Sequence, residues 1–241
     1  MYRIATQHIP STTELLFDVC CGTGTIGLTC LKAGVTKRLV GVDICEPAIA
    51  DAQRNAERNG FDASTARFVA GRAEDVLASE IRATTNNEDY IESDSPSNIV
   101  AVVDPAREGL HGDVVRTLRL SSKIERLVYI SCNPTGTLVR DAMMLCAPPT
   151  KKYGGRPFRI VEATPVDMFP MTNHCEMVLV MERLTELDEK GTKISPETKE
   201  DLAEETKPEA ETKVEMKTQP AQNEALAEET KPEAETKIEM Q

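Results

Sequence analysis

Apolar runs punctuate the first 184 residues of this 241-residue chain, and each ends in a turn. Leu15 to Cys20 (LLFDVC) leads into a glycine-rich turn, and Thr25 to Leu31 then reads as the opening of a helix. Leu39 to Ile44 (LVGVDI) predicts a second strand. A helix follows from Pro47, a residue favoured at a first helical position, to about Arg58, where Asn59-Gly60 supplies the stop. Arg67 to Ala70 is a short third strand, and the polar stretch Ser79 to Asn98 reads as a frayed helix and a long loop. Ile99 to Val103 (IVAVV) and Leu127 to Ile130 (LVYI) are continuous apolar strands that end in Asp104-Pro105 and Ser131-Cys132-Asn133-Pro134.

Strands without polar alternation, separated by helical segments, belong to a parallel sheet covered on both faces. The expected fold is therefore α/β and doubly wound. Phe158 to Ala163 and Glu176 to Arg183 add two more strands, joined by a dozen residues with no helical period. Such a connection suits a terminal antiparallel hairpin, giving a mostly parallel seven-stranded sheet.

Composition divides the chain in two. Residues 1–184 hold 20 basic and 23 acidic side chains, whereas 185–241 hold 8 and 17 and contain neither an aromatic residue nor a cysteine. Most of the net charge of -12 thus sits in a tail that lacks the apolar surface to offset chain entropy. Within it LAEETKPEAETKVEM (Leu202 to Met216) returns as LAEETKPEAETKIEM (Leu226 to Met240). Two such copies, each interrupted by a proline, point to low complexity rather than to a solenoid. The expected organisation is a folded domain over 1–184 and a disordered acidic tail over 185–241. No run approaches the ~18 apolar residues of a membrane span, and the N-terminus does not read as a secretory signal. The seven cysteines include no CxxC pair, so neither a disulfide framework nor a metal knuckle is indicated. These features favour an intracellular protein, of cytoplasm or nucleus before mitochondrion, with no membrane and no metal.

Gly22, Gly24 and Gly27 spell G-x-G-x-x-G directly after the first strand, and Asp43 ends the second about twenty residues later. This pattern lets the backbone approach a nucleotide and gives the ribose hydroxyls a carboxylate acceptor. It predicts an adenosine rather than a particular reaction. Asp18, four residues before Gly22, adds a carboxylate of the kind a cationic methionyl group favours and a pyrophosphate does not. Glu74-Asp75, after the third strand, is placed to meet the adenine end. Plain turn chemistry is the alternative for these positions. An NAD dehydrogenase is disfavoured, because no substrate domain or hydride-transfer acid is apparent.

Ligands of an open α/β sheet bind beyond the carboxyl ends of its strands. Asp104-Pro105-Ala106-Arg107, Cys132 and His174-Cys175-Glu176 are expected to converge there. In DVCCGTGTIGL, VDPAREGLH, YISCNPTGTLVRD and FPMTNHCEMVLVMER the chain resembles the catalytic domain of the RNA (uracil-5-)-methyltransferases, and most of all the eukaryotic tRNA enzymes that make 5-methyluridine in the T-loop. The likeness runs from about Leu15 to Leu184. It implies a seven-stranded methyltransferase fold, S-adenosyl-L-methionine as cofactor and RNA, most simply tRNA, as partner.

By that resemblance Cys132 is the nucleophile and Glu176 the base, Cys20 and Thr25 match cofactor-contact positions, and Asp104 lies between cofactor and target base. Thiolate addition at carbon 6 of uracil would place enolate charge on carbon 5, which then takes the methyl group. A base must afterwards remove the carbon-5 proton. Arg107 would meet RNA phosphate or the uracil, with a salt bridge inside its own loop as the plainer reading. His174 reads as a neighbour of Glu176 or an RNA contact. Ala106 stands where the family usually has a second proline, which frees the backbone of that loop.

Two basic groups remain. Arg116, Arg119, Lys123 and Arg126 would share a face if their segment were helical, and Lys151, Lys152, Arg156 and Arg159 form a second cluster. Either could contact phosphates or be a solvated face. Larger family members carry N-terminal RNA-recognition regions and a glutamine-bearing segment ahead of the first strand, whereas Gln7 does not stand in a convincing copy of that motif. A second function therefore stays open beside the enzyme: a cofactor-binding module without RNA recognition.

Overall fold

The computed structural model describes residues 1–85 and 98–184. The chain divides into two units, Met1–Thr192 and Lys193–Gln241, and the expected disordered tail with its repeat lies outside the described residues. Among the described residues, seven strands and six helices follow in order: α1 (Tyr2–Gln7), β1 (Thr13–Val19), α2 (Thr25–Lys32), β2 (Thr36–Asp43), α3 (Glu46–Arg58), β3 (Ala66–Ala70), α4 (Ala73–Thr85), β4 (Ile99–Val103), α5 (Gly112–Leu120), β5 (Ile124–Ser131), α6 (Thr137–Cys146), β6 (Phe158–Val166) and β7 (Glu176–Arg183).

All seven strands form one sheet in the order β3-β2-β1-β4-β5-β7-β6. β1 to β5 run parallel, and β7 inserts antiparallel between β5 and β6. The fold is the doubly wound, mostly parallel sheet with a terminal antiparallel hairpin that the apolar runs predict. Its direction of winding reverses between β1 and β4, so a crevice opens beyond their carboxyl ends.

Each face of the sheet carries its own apolar layer. Leu15, Phe17, Val19 and Tyr129 pack with Leu77, Val115 and Leu118 on the side of α4, α5 and α6. Leu16, Val102, Val128 and Ile130 pack with Ile26, Leu31 and Ala52 on the side of α1, α2 and α3. Alternation along each strand assigns the faces, and each large aliphatic side chain buried this way contributes about 1.5–3 kcal/mol.

Differences from the expected elements lie mostly at polar ends. β2 and β5 begin three residues earlier than their apolar runs, at Thr36 and Ile124, because ladder hydrogen bonds do not depend on side-chain polarity at the rim. β1 stops at Val19, since Cys20 turns the chain with φ 64°. The helix expected after Ser79 is α4, which begins earlier, at Ala73, and the loop expected before Asn98 lies outside the described residues.

The basic face proposed for Arg116, Arg119, Lys123 and Arg126 does not form. α5 ends at Leu120, Arg126 lies on β5 paired with Glu182, and Arg119 is fully buried. Its guanidinium donates to the carbonyls of Met144, Leu145, Ala147, Gly154 and Gly155, which replaces the hydration lost on burial.

Candidate active site

The turn after β1 is held by carboxylates. Gly22 N–H donates to Asp43 Oδ2 at 2.8 Å, and Cys45 N–H donates to Asp43 Oδ1 at 2.8 Å, so Asp43 braces the turns after β1 and β2 together. Each of its oxygens retains a lone pair for a further donor. Cys20 and Cys21 both donate their N–H to the Val42 carbonyl, which locks the strained backbone at Cys20. Gly22 has φ 53°, and the direction in which a Cβ would point is open space, a cradle at the mouth of the crevice. Gly24 is the N-cap of α2, and Thr25, its first residue, is exposed beside Thr23.

Asp18 lies beneath this turn. It is fully buried, accepts the Gly27 N–H on Oδ2 at 2.9 Å, and leaves Oδ1 with no hydrogen-bond partner. Gly27 is required for that approach, because a Cβ there would lie 2.9 Å from Asp18 Oδ2 and closer still to Leu39. Burial raises the Asp18 carboxyl to about 7 against the pull of the Gly27 hydrogen bond, and the charges of Asp104 and Asp43 raise it further. Asp104, after β4, is raised to about 6 by burial and by Glu176. Burial, with these carboxylates around it, pushes the Cys20 thiol to about 12, so it remains a thiol near neutral pH. The crevice is thus walled by carboxylates that relax when a positive charge enters.

Glu74, at the start of α4, pairs with Arg72 at 2.8 Å. Its own backbone N–H, that partner and the nearby His111 hold it below the usual carboxylate range.

The second half of the crevice comes from the antiparallel insertion. β5 pairs with β7 up to Ser131 opposite Met177, and Cys132 and Glu176 are the next residues along the two chains from that last pair. Because β7 runs against its neighbour, its first residue reaches the same edge as the last residues of the parallel strands. Glu176 is 9% exposed. Burial raises its carboxyl, and Arg107 opposes the rise. Cys132 and Arg107 line an open cleft of about 400 Å³ with Asn133, Asn173, His174 and Cys175. Arg107 makes no ion pair among the described residues; its carbonyl accepts from Asn133 Nδ2 and Thr137 Oγ1 at 3.3 and 2.9 Å, which fastens the loop after β4 to the turn after β5.

A buried hub behind this cleft had no place in the sequence reading. Asp141 of α6 is fully buried and accepts from Tyr129 Oη at 2.7 Å and Leu110 N at 2.6 Å, while Arg140 pairs with it at 2.7 Å. Arg140 also donates to the carbonyls of Glu108 and Leu110. Asp141 therefore joins the strand that carries Cys132 to the loop that carries Arg107. The available signal was an acidic residue on the apolar stripe Leu138, Ala142 and Leu145 of an otherwise amphipathic segment.

The family model for tRNA (uracil-5-)-methyltransferases matches residues 1–184. The chain belongs to this family. Mouse tRNA (uracil-5-)-methyltransferase homolog A is 40% identical over 169 residues, 70% of this chain and 25% of the relative. The zebrafish homolog B is 42% identical over 182 residues, 75% of this chain and 35% of the relative. Among solved structures, the tRNA (uracil-54, C5)-methyltransferase of Pyrococcus abyssi, in complex with S-adenosyl-L-homocysteine, superposes with a TM-score of 0.55 at 30% identity. That match covers 75% of this chain and 36% of that one. As a member of the tRNA (uracil-5-)-methyltransferase family, the chain spans about a quarter to a third of the length of these relatives.

Proposed function

We propose that this chain methylates carbon 5 of uridine in RNA, with the T-loop uridine of tRNA as its target, through a covalent cysteine–uracil intermediate. The observation that carries this reading is the β5–β7 register, whose last pair, Ser131 with Met177, leaves Cys132 and Glu176 as the next residues at the edge where the carboxylate-walled crevice opens. The family and the solved relative bound to S-adenosyl-L-homocysteine support it.

The residues present fit S-adenosylmethionine. The open cradle at Gly22 admits an adenosine, Asp43 offers acceptors to its ribose, and the unpartnered Oδ1 of Asp18, near Asp104, favours the sulfonium and ammonium charges. Asp18 acts from beneath the turn through its field, because it is fully buried. When bound, the cofactor supplies an electrophilic methyl group.

Carbon 5 of uracil is too poor a nucleophile to take that group unaided. The Cys132 thiolate adds to carbon 6, a C–S bond forms, and the electron pair of the 5,6 double bond moves into an enolate. Carbon 5, made nucleophilic in this way, would accept the methyl group that the cofactor supplies, the sulfur leaving as a neutral thioether. Glu176 removes the carbon-5 proton, the double bond re-forms, and the C–S bond breaks to restore the thiolate. Arg107 opposes the rise that burial imposes on Glu176 and so favours its ionised form for this step.

A tRNA transcript containing 5-fluorouridine tests the assignment, because fluorine at carbon 5 cannot leave as a proton. Incubation with S-adenosylmethionine should yield a methylated protein–RNA adduct on a denaturing gel, absent in Cys132→Ser. On ordinary tRNA, Glu176→Gln should retain the methylated adduct instead of releasing it. A second reading is a cofactor-binding module without catalysis, since the carboxylate-held turn after β1 is complete without the Cys132 cleft. Cofactor binding without any adduct would establish that module and overturn the enzyme.

A further inference from the structure

A basic cleft of about 490 Å³ lies beside α5, lined by His111, Asp113, Arg116, Lys151, Lys152 and Tyr153. Three cations face one carboxylate there, and Arg116, Lys151 and Lys152 make no ion pair with any described residue. Asp113 lies near His111 instead, 3.7 Å from its Nδ1. The clustering stands out in a folded region that is acidic over residues 1–184.

The cleft is built rather than incidental. Lys151 and Lys152 sit on a turn closed by Thr150 N–H to the Tyr153 carbonyl and Tyr153 N–H to Thr150 Oγ1, each at 2.9 Å. Lys152 lies 5.2 Å from the centre of the Tyr153 ring, and that ring's hydroxyl reaches toward Gly112 at the start of α5. The buried Arg119 donates to the Gly154 and Gly155 carbonyls and ties the segment after the turn to the helix. Gly155, at φ 72°, approaches so closely that a Cβ would overlap the Arg119 carbonyl oxygen. The turn that carries the two lysines is therefore held along α5 before any ligand arrives. Fixing that backbone beforehand removes part of the ordering cost of binding, while the exposed side chains still order on contact.

The position is also telling. Arg107 lines the cleft of Cys132 and His111 lines the basic cleft, four residues apart on one loop, a separation of at most roughly 14 Å. That separation is within the span of a few nucleotides of one polyanion.

We propose that this basic cleft holds backbone phosphates of the RNA whose uridine enters the Cys132 site. The proposal rests on the RNA reading of that site. It assigns to Arg116, Lys151 and Lys152 a sequence-independent grip, and it leaves choice of the base to the Cys132 cleft. Phosphate contacts of this kind release counterions, so their number is read from the salt dependence of binding.

The test uses the full 241-residue chain and an unmodified tRNA transcript, with binding followed from low to moderate salt. Arg116→Gln/Lys151→Gln/Lys152→Gln should flatten the plot of log affinity against log salt by roughly two units and weaken binding about tenfold or more near 0.15 M salt. Arg159→Gln serves as the control, because Arg159 is already paired with Glu182; it should leave the slope nearly unchanged. The 5-fluorouridine adduct is measured in parallel. At saturating tRNA the triple variant should form the adduct at the wild-type rate, with only the half-saturating concentration raised. An unchanged slope in the triple variant overturns the cleft, whatever the adduct shows. A flattened slope with no adduct from the wild-type chain upholds the cleft as an RNA-binding surface and overturns the catalytic reading instead.

Discussion

The two halves of the crevice are put together differently. Under the cofactor half, β1, α2 and β2 follow one another directly, and the turn glycines, Asp18 and Asp43 are placed by hydrogen bonds inside that one strand–turn–helix–strand unit. The catalytic half has no such unit. Cys132 comes from the turn just after a parallel strand, Glu176 from an antiparallel strand inserted beside it, and Arg107 from the loop after β4. The first half is local and stores an electrostatic demand for positive charge. The second is non-local and depends on register and on the Asp141 hub. Each should therefore fail in its own way.

The largest effect is expected at that hub. Asp141→Ala strips an acceptor from Tyr129 and Leu110 and leaves Arg140 without its partner, costing about 3 kcal/mol or more in urea unfolding. Asp141→Asn keeps an oxygen for Tyr129 and Leu110 and should lose roughly half as much. In Asp141→Asn the adduct should form more slowly while S-adenosylmethionine binds as in the wild type. Equal loss of both would show that the two halves are not separable.

A smaller, pH-dependent effect is expected in the cofactor half. Asp18 titrates at about 7 in the fold against an ordinary 3.8, so between these values the folded state binds more protons than the unfolded one. Stability then falls as pH rises from about 4 to about 7, and the full penalty is present above 7. Asp18→Asn removes this dependence. Relative to wild type it should gain a few kcal/mol at pH 8 compared with pH 4.5. A bound cation reverses the preference, so wild-type affinity for S-adenosylmethionine should drop about tenfold from pH 8 to pH 5.5 as Asp18 and Asp104 take up protons. An affinity that does not change with pH would remove the electrostatic account of this half.

The same contrast explains what the sequence could show. The five parallel strands, the terminal hairpin and the G-x-G-x-x-G turn were legible because each is written in consecutive residues. Cys132 and Glu176 were expected at one edge from the strand ends, but as nucleophile and base only through family resemblance, since no local pattern states that Ser131 will pair with Met177. Asp141 was missed for the same reason: its partners Leu110 and Tyr129 belong to other elements. Arg119 misled because helical spacing counts a charge as exposed, whereas carbonyls from the end of α6 and the loop beyond it make burial tolerable here. The six-residue α1 is too short to display a period.

Arg107 offers the finest division between the halves, because it acts on the base without belonging to the cofactor turn. Its charge opposes the rise that burial imposes on Glu176, and no hydrogen bond between the two is needed for that. Arg107→Gln removes the charge and keeps a polar side chain in the cleft. Glu176 then takes up its proton at a higher pH, and less of it is ionised on the acid side. Release of the methylated RNA, the step that needs the base, should slow roughly two- to fivefold at the acid end of its pH profile and recover toward the alkaline end. Affinity for S-adenosylmethionine should equal that of the wild type at each pH, since Asp18 and Asp43 do not depend on this arginine. A uniform loss at every pH would mean that Arg107 grips RNA and does not tune Glu176; a parallel loss of cofactor affinity would mean that one electrostatic field spans both halves.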